Sequence, residues 1–166
     1  RARRRADAEA RLRTWGRRSG VAISILRVPG IYASDRLPLA RLRAGTPALA
    51  ADQDSYTNHI HADDLAQIAV RALQFARPGR VYNVNDDSRV KMGDYFDLVA
   101  DQFGLPRPRR IGRPEAELEI SGVLMSFMRE SRQLANRRMK GELRVSLRYP
   151  TVIDGVGAAA AVHLAR

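Results

Sequence analysis

No cysteine occurs in the chain, so a disulfide framework and a thiolate metal site are both excluded. No apolar run approaches the roughly 20 residues that a membrane-spanning helix needs, and no signal-peptide pattern opens the chain. The expectation from these two absences is a soluble, cytoplasmic protein with no membrane partner. A glycine-rich strand-turn-helix signature, which would cradle phosphates on a helix N-terminus, is missing as well. So are internal repeats, low-complexity segments, zinc-finger spacing and aromatic RNA-binding signatures. That last absence bears on the charge, since a formal net charge of +11 and a pI near 11.2 invite a nucleic-acid reading. Nearly all the positive charge is arginine, spread along the chain with clusters at Arg3 to Arg5, Arg17-Arg18, Arg107 to Arg110 and Arg137-Arg138. It reads as a solvated arginine-rich surface, and no nucleic acid is expected as a partner.

What is present describes a folded α/β chain. Its 166 residues are 45% hydrophobic and 28% charged, enough for a domain with a real core and unlike a disordered segment. Ala8, Leu12 and Trp15 give residues 3–18 one apolar face, and Gly20 closes that helix. Residues 21–28 are β-branched and apolar, as a buried strand of a parallel sheet requires, and Pro29-Gly30 is expected to stop the strand. A short helix over residues 37–44 and a polar surface loop over 48–55 follow. His59 and His61 alternate around Ile60, sharing one face of a strand. A metal reading of that pair lacks the third ligand zinc wants, and no metal is expected. Asp63 reads as the N-cap of a helix with Leu65, Ile68, Ala69, Ala72 and Leu73 on its apolar face. Pro78-Gly79 turns into a strand at 80–84, and Asn85-Asp86-Asp87-Ser88 reads as turn-formers and caps before an acid/base pair. Helical spacing returns at Tyr95, Phe96, Leu98, Val99 and Phe103, and residues 107–110 read as a basic linker. Pro114 opens a longer helix with Leu118, Val123, Leu124, Phe127 and Met128 inward. A break at 136–141, an extended piece at 142–147 and a small-residue helix at 152–164 complete the chain.

Three stretches carry a resemblance. Arg27-Val28-Pro29-Gly30-Ile31-Tyr32, then Thr57-Asn58-His59-Ile60-His61-Ala62-Asp63-Asp64-Leu65-Ala66, then Arg80-Val81-Tyr82-Asn83-Val84 stand in the order found in the NAD-dependent epimerase/dehydratase family, the extended or atypical short-chain dehydrogenase/reductases. The resemblance covers about residues 1 to 108. It implies the C-terminal portion of a Rossmann-like doubly wound sheet with a small, mostly helical substrate-side subdomain, divided at residues 1–112 and 113–166. Because the family opens on the glycine-rich signature, the chain is expected to be the C-terminal part of a longer protein. The resemblance places Val28, Pro29, Gly30 and Ile31 beside the nicotinamide end of NAD or NADP, with Tyr32, Asn58 and His61 on the substrate side. His61 reads equally as a structural hydrogen-bonding residue. Pro29 and His61 are expected at one end of the sheet, with Ile31 and Tyr32 turning over its edge.

One departure bears on activity. The family carries Tyr-x-x-x-Lys on the helix matched by residues 1–18, with a Glu four residues on. Anchoring on Glu9 puts Arg5 at the Lys position and Arg1 at the Tyr position. Arginine cannot exchange a proton at neutral pH, although Arg5 could hold a ribose or phosphate by charge-assisted hydrogen bonds. Two functions are therefore expected: an NAD(P)-dependent epimerase, dehydratase or reductase with a small-molecule substrate, nucleotide sugars included, or a non-catalytic NAD(P)-binding sensor or scaffold. A homodimer is the largest assembly expected. Gly30 and Ala33-Ser34 depart from the positions that touch substrate in sugar-nucleotide members, which weakens that substrate class.

Overall fold

The computed structural model describes residues 2–164. In chain order come α1 (Ala2–Ser19), β1 (Ile25–Arg27), β2 (Gly30–Tyr32), α2 (Leu39–Arg43), β3 (Ala48–Leu49), β4 (Tyr56–Thr57), β5 (His59–His61), α3 (Ala62–Phe75) and β6 (Val81–Asn83). There follow β7 (Val90–Lys91), α4 (Met92–Gln102), β8 (Arg110–Ile111), α5 (Arg113–Glu119), α6 (Gly122–Met128), α7 (Arg137–Leu143) and α8 (Val152–Leu164). The strands pair two by two. β1 with β6, β2 with β5 and β3 with β8 are parallel, and β4 with β7 is antiparallel. Parallel partners must come from distant stretches of chain, because the connection has to return to the starting end. No helix of the described residues is long and apolar enough to cross a membrane.

Two apolar clusters hold these elements. In one, α3 and α7 cover β5 and β6 through Ile60, Ile68, Tyr82, Met139 and Leu143, all fully buried. In the other, α4, α6 and α8 gather around β3 and β8 through Leu49, Val99, Ile111, Met128 and Val156. Each such side chain contributes about 2 kcal/mol of transfer free energy. Residues from both sides of position 112 enter both clusters.

The α/β class and the ends of α1, α2, α4, β6 and α8 follow the sequence pattern, with Gly20 at φ 70° after α1 and Gly104 at φ 62° after α4. Elsewhere the structure corrects the expectations. The strand expected over residues 21–28 narrows to Ile25–Arg27, half-buried because it is paired along one edge only, and Val21 is 45% exposed. Pro29-Gly30 does not end the sheet region: Gly30 starts β2, and Tyr32 points into the core instead of turning over an edge. Ala48 and Leu49, expected on a surface loop, are a buried strand. The long helix expected from Pro114 is two helices, with Ser121 capping α6 through Leu124 N–H, and Leu118 and Phe127 face outward. The side chain of Val123 lies outside the described residues. Residues 137–143, expected to be a break and an extended piece, form α7, which ends at Arg144 with φ 53°.

The basic linker expected at 107–110 is the largest correction. Arg110 opens β8, and its guanidinium meets Asp97 at 2.6 Å, with Asp54 and Asp94 each at 3.6 Å, while donating to the Leu49 carbonyl at 3.2 Å. Asp54, its carboxylate 1% exposed, also accepts from Gly93 N–H in the first turn of α4 at 2.7 Å. Position 93 must lack a side chain, because a Cβ there would overlap the Arg110 guanidinium. Charge and helix dipole thus pin β3, β8 and α4 together. Arg110→Ala strands Asp54 without its counter-ion and is expected to lower stability by about 2–4 kcal/mol, read as a reduced urea midpoint with an unchanged slope.

Candidate functional site

The residues expected at the site lie along β1, β2 and β5 and on the helix packed against β1. Gly16 of α1 lies against Ile23, and Glu9 lies against Arg27 at the far end of β1. The helix therefore runs antiparallel to the strand, and Arg5, one turn before Glu9, lies beyond the strand's C-terminal end. Arg27 grips the Glu9 carboxylate with two hydrogen bonds, Nε to Oε1 at 2.8 Å and Nη2 to Oε2 at 2.7 Å. That pair of bonds holds the Glu9 carboxyl below its ordinary range. Arg5 is exposed and makes no ion pair among the described residues, and Arg1 lies outside them.

Beyond Arg27, Val28 packs against the α3–α7 cluster, and Pro29 leads into β2. Gly30 stands opposite His59 in the parallel pair, and its N–H donates to the Asn58 carbonyl at 3.2 Å. A Cβ on Gly30 would sit 3.3 Å from both that oxygen and His59 Cδ2, so the two chains approach closely here. Pro29-Gly30, Asn58 and His59 thus share one end, at the starts of β2 and β5 with Gly30 and Ile31 exposed, whereas His61 pairs with Tyr32 at the opposite end of those strands, so Pro29 and His61 do not share the end expected for them. Next to them a cleft of about 340 Å³ opens past β1 and β6, lined by Arg27, Asn83, Arg137 and Arg138.

The three substrate-side candidates are all engaged by the chain itself. Tyr32 is 1% exposed, donates its hydroxyl to the Thr151 carbonyl at 3.3 Å, and lies over Gly155 of α8, where a Cβ would come within 2.3 Å of the hydroxyl oxygen. Asn58 donates to the Arg132 carbonyl at 2.8 Å and accepts from Leu134 N–H at 2.9 Å. His61, and not the expected Asp63, is the N-cap of α3, its Nδ1 accepting from Asp63 N–H at 3.2 Å. Asp64, in that first turn, is buried and accepts from the N–H groups of Arg148 and Tyr149.

His59 and His61 do share a face, since both rings meet Tyr32 edge-on at 6.2 and 5.2 Å. Among the described residues no three His, Cys, Asp or Glu side chains come together as a metal would need. What the sequence did not single out is how deeply His59 and Asp86 are buried. His59 stacks on Tyr95 at 4.2 Å with Nδ1 unpartnered, and Asp86, whose N–H donates to the His59 carbonyl, leaves Oδ2 unpartnered. Burial pushes His59 down to about 4 and Asp86 up to about 6. Asp87, beside it, is exposed and paired with Lys140 at 2.6 Å.

These two groups pull stability in opposite directions. The Asp86 carboxyl has a folded pKa above its unfolded value, so its contribution is present below about pH 4 and is lost as pH rises through about 6. His59 is depressed, so its contribution is present above about pH 6.5 and is lost as pH falls through about 4. Asp86→Asn is therefore expected to be more stable than the parent above pH 7, by up to about 3 kcal/mol, with the gain vanishing below pH 4. Urea unfolding of both proteins across pH 4 to 8 measures this, and a gain independent of pH would contradict it.

No family model matches the chain. A 3-diazoavenalumate denitrifying reductase from a Streptomyces species is 26% identical over 126 residues, covering 76% of this chain and 41% of that protein. The solved structure of a functionally unknown conserved protein from Silicibacter pomeroyi is 31% identical, with a TM-score of 0.75 over 84% of this chain and 48% of that one. A dTDP-glucose 4,6-dehydratase from Streptomyces venezuelae, solved with NAD and TYD bound, is 16% identical, with a TM-score of 0.70 over 97% of this chain and 49% of that one. Other solved structures of this fold are complexed with NADPH. The chain spans about half the length of the proteins it matches. In fold the chain is similar to these Rossmann-type, NAD(P)-dependent epimerases, dehydratases and reductases.

Proposed function

We propose that this chain is the C-terminal half of an NAD(P)-dependent epimerase, dehydratase or reductase acting on a small-molecule substrate, with nucleotide sugars among the candidates. The observation that carries the reading is the C-terminal end of the parallel strands β1 and β6, at Arg27 and Asn83, the kind of place where open α/β sheets bind ligands, with Gly30 and Asn58 following at the starts of β2 and β5. In this reading residues 1–112 form the cofactor side, and residues 113–166 close over the substrate.

The residues at this end suit a nicotinamide cofactor. Val28, Pro29, Gly30 and Ile31 offer a wall without polar side chains, closely backed by Asn58 and His59, while Arg5 stands one turn past the Glu9–Arg27 pair as a free cation. When bound, the cofactor supplies the hydride chemistry. The chain's part is to hold and orient: Arg5 binds a ribose or phosphate oxygen, and Gly30 and Ile31 set the plane against which the ring lies. Tyr32, Asn58 and His61 shape the substrate side, Asn58 by holding residues 132–134 at the start of β5. Arg5 keeps its proton at neutral pH and so serves as a fixed charge. The residue that would distinguish NAD from NADP belongs, in this fold, to the first half of the sheet.

Arginine at positions 1 and 5, where the family's Tyr and Lys would stand, favours a second reading, a non-catalytic NAD(P)-binding sensor or scaffold. Cofactor turnover by the intact protein over a substrate panel separates the two, since tight NAD(P)H binding without any turnover rejects the enzyme. Calorimetric titration is expected to show micromolar NAD(P)H binding by the intact protein and none by this chain alone. Arg5→Ala in the intact protein is expected to weaken binding about tenfold at unchanged stability. Micromolar binding by the isolated chain would overturn the assignment of the phosphate site to the other half.

A further inference from the structure

α3 is apolar on two faces. Its inner face, with Leu65, Ile68 and Ala72, packs on β5, β6 and α7. A helix on a protein surface should be polar on the other side. Here Ala66, Ala69, Val70 and Leu73 fall on one outward stripe at i, i+3, i+4 and i+7, all exposed, with Leu73 at 90% and Val70 at 56%. No described residue covers this stripe.

We propose that this face binds the same face of a second copy of the chain, α3 against α3, antiparallel about a two-fold axis between Ala69 and Val70. Side-chain size selects this partner. The stripe is small towards its N-terminal end, at Ala66 and Ala69, and large towards its C-terminal end, at Val70 and Leu73. Antiparallel pairing sets Leu73 of each copy against Ala66 of the other and Val70 against Ala69, so ridges meet hollows at both ends.

Charge selects it independently. Asp63, its side chain 59% exposed and met only at 3.8 Å by His61 and 3.7 Å by Arg148, stands at the N-terminal end of α3. Arg77, exposed, stands just past the C-terminal end. The antiparallel pair brings Asp63 of one copy beside Arg77 of the other, twice, and opposes the helix dipoles. The other exposed apolar helix face, Leu12 and Trp15 on α1, shares its helix with seven arginines against Asp7 and Glu9. Two copies would repel one another there.

Because the chain has no cysteine, a single introduced cysteine reports only its own surroundings. Val70→Cys, Leu118→Cys on α5 and Trp15→Cys on α1 are compared with a short bis-maleimide cross-linker at equal protein concentration, with circular dichroism to confirm folding. Val70→Cys is expected to give covalent dimer at least about tenfold faster than the other two, and adding the exposed change Leu73→Glu should abolish that advantage. Asp63→Arg and Arg77→Asp should each slow it, and the two together should restore it. Equal rates at the three positions, a dominant Trp15→Cys dimer, or indifference to Leu73→Glu would each overturn the proposal.

Discussion

Parallel pairing of strands far apart in sequence is the constraint on which the rest depends. β1 and β6 are separated by α2, α3 and four further strands, and β2 reaches β5 only after the chain has made most of that excursion. Each parallel partner enters from the same end, so the residues that follow the strands are delivered to one place. That is why Arg27, at the end of β1, accepts from the N–H of Val84, just past β6, across more than fifty positions, while Asn58 meets Gly30 because the two stand at the starts of β5 and β2. The Glu9–Arg27 pair adds α1 to the same end, with both hydrogen bonds of the guanidinium spent on one carboxylate. Turning that interaction into a neutral contact would leave the helix held chiefly by Gly16 on Ile23.

A second consequence is the unequal finish of the two edges of β1. One is paired with β6 and covered by the α3–α7 cluster. The other has no strand beside it among the described residues, and Val21, Leu12 and Trp15 nearby are about half exposed. Parallel sheets normally bury both faces, and an open edge tends to pair with another chain. The proteins of this fold that the chain matches are about twice its length.

How much of this was legible follows from which signals are local. α1, α4 and α8 announce themselves because an apolar face repeated over three or more turns outweighs individual propensities, and their ends carry glycine or proline. β3 and β8 are two residues each and carry no period at all. Arg110 read as linker because its partners Asp54, Asp94 and Asp97 come from elsewhere in the chain, and charge alone does not say whether it is solvated or spent. α3 showed its apolar spacing but not its two faces: Leu73 matched the helical period, yet the period does not say which of two stripes meets the core. The Gly30–Asn58 end was legible because it rests on short motifs, while the burial of His59 and Asp86 was not, since it is created by Tyr95, which lies on a helix formed later in the chain.

The departure at Arg1 and Arg5 then narrows what chemistry the site can do. A tyrosine proton donor needs a neighbouring cation to bring its pKa towards neutrality, and Arg5 can serve as that cation but never as the donor. Tyr32 does not replace it: burial drives its hydroxyl further from ionisation, and the proton is given to the Thr151 carbonyl. His61 spends Nδ1 on the first turn of α3. Burial raises the Asp86 carboxyl to about 6 and leaves one of its oxygens free of hydrogen bonds. It is only 2% exposed, however, and its N–H is tied to β5. Tyr32, His61 and Asp86 are thus each engaged or enclosed by the chain itself, which leaves exposed Arg5 as a fixed positive charge beyond the end of β1.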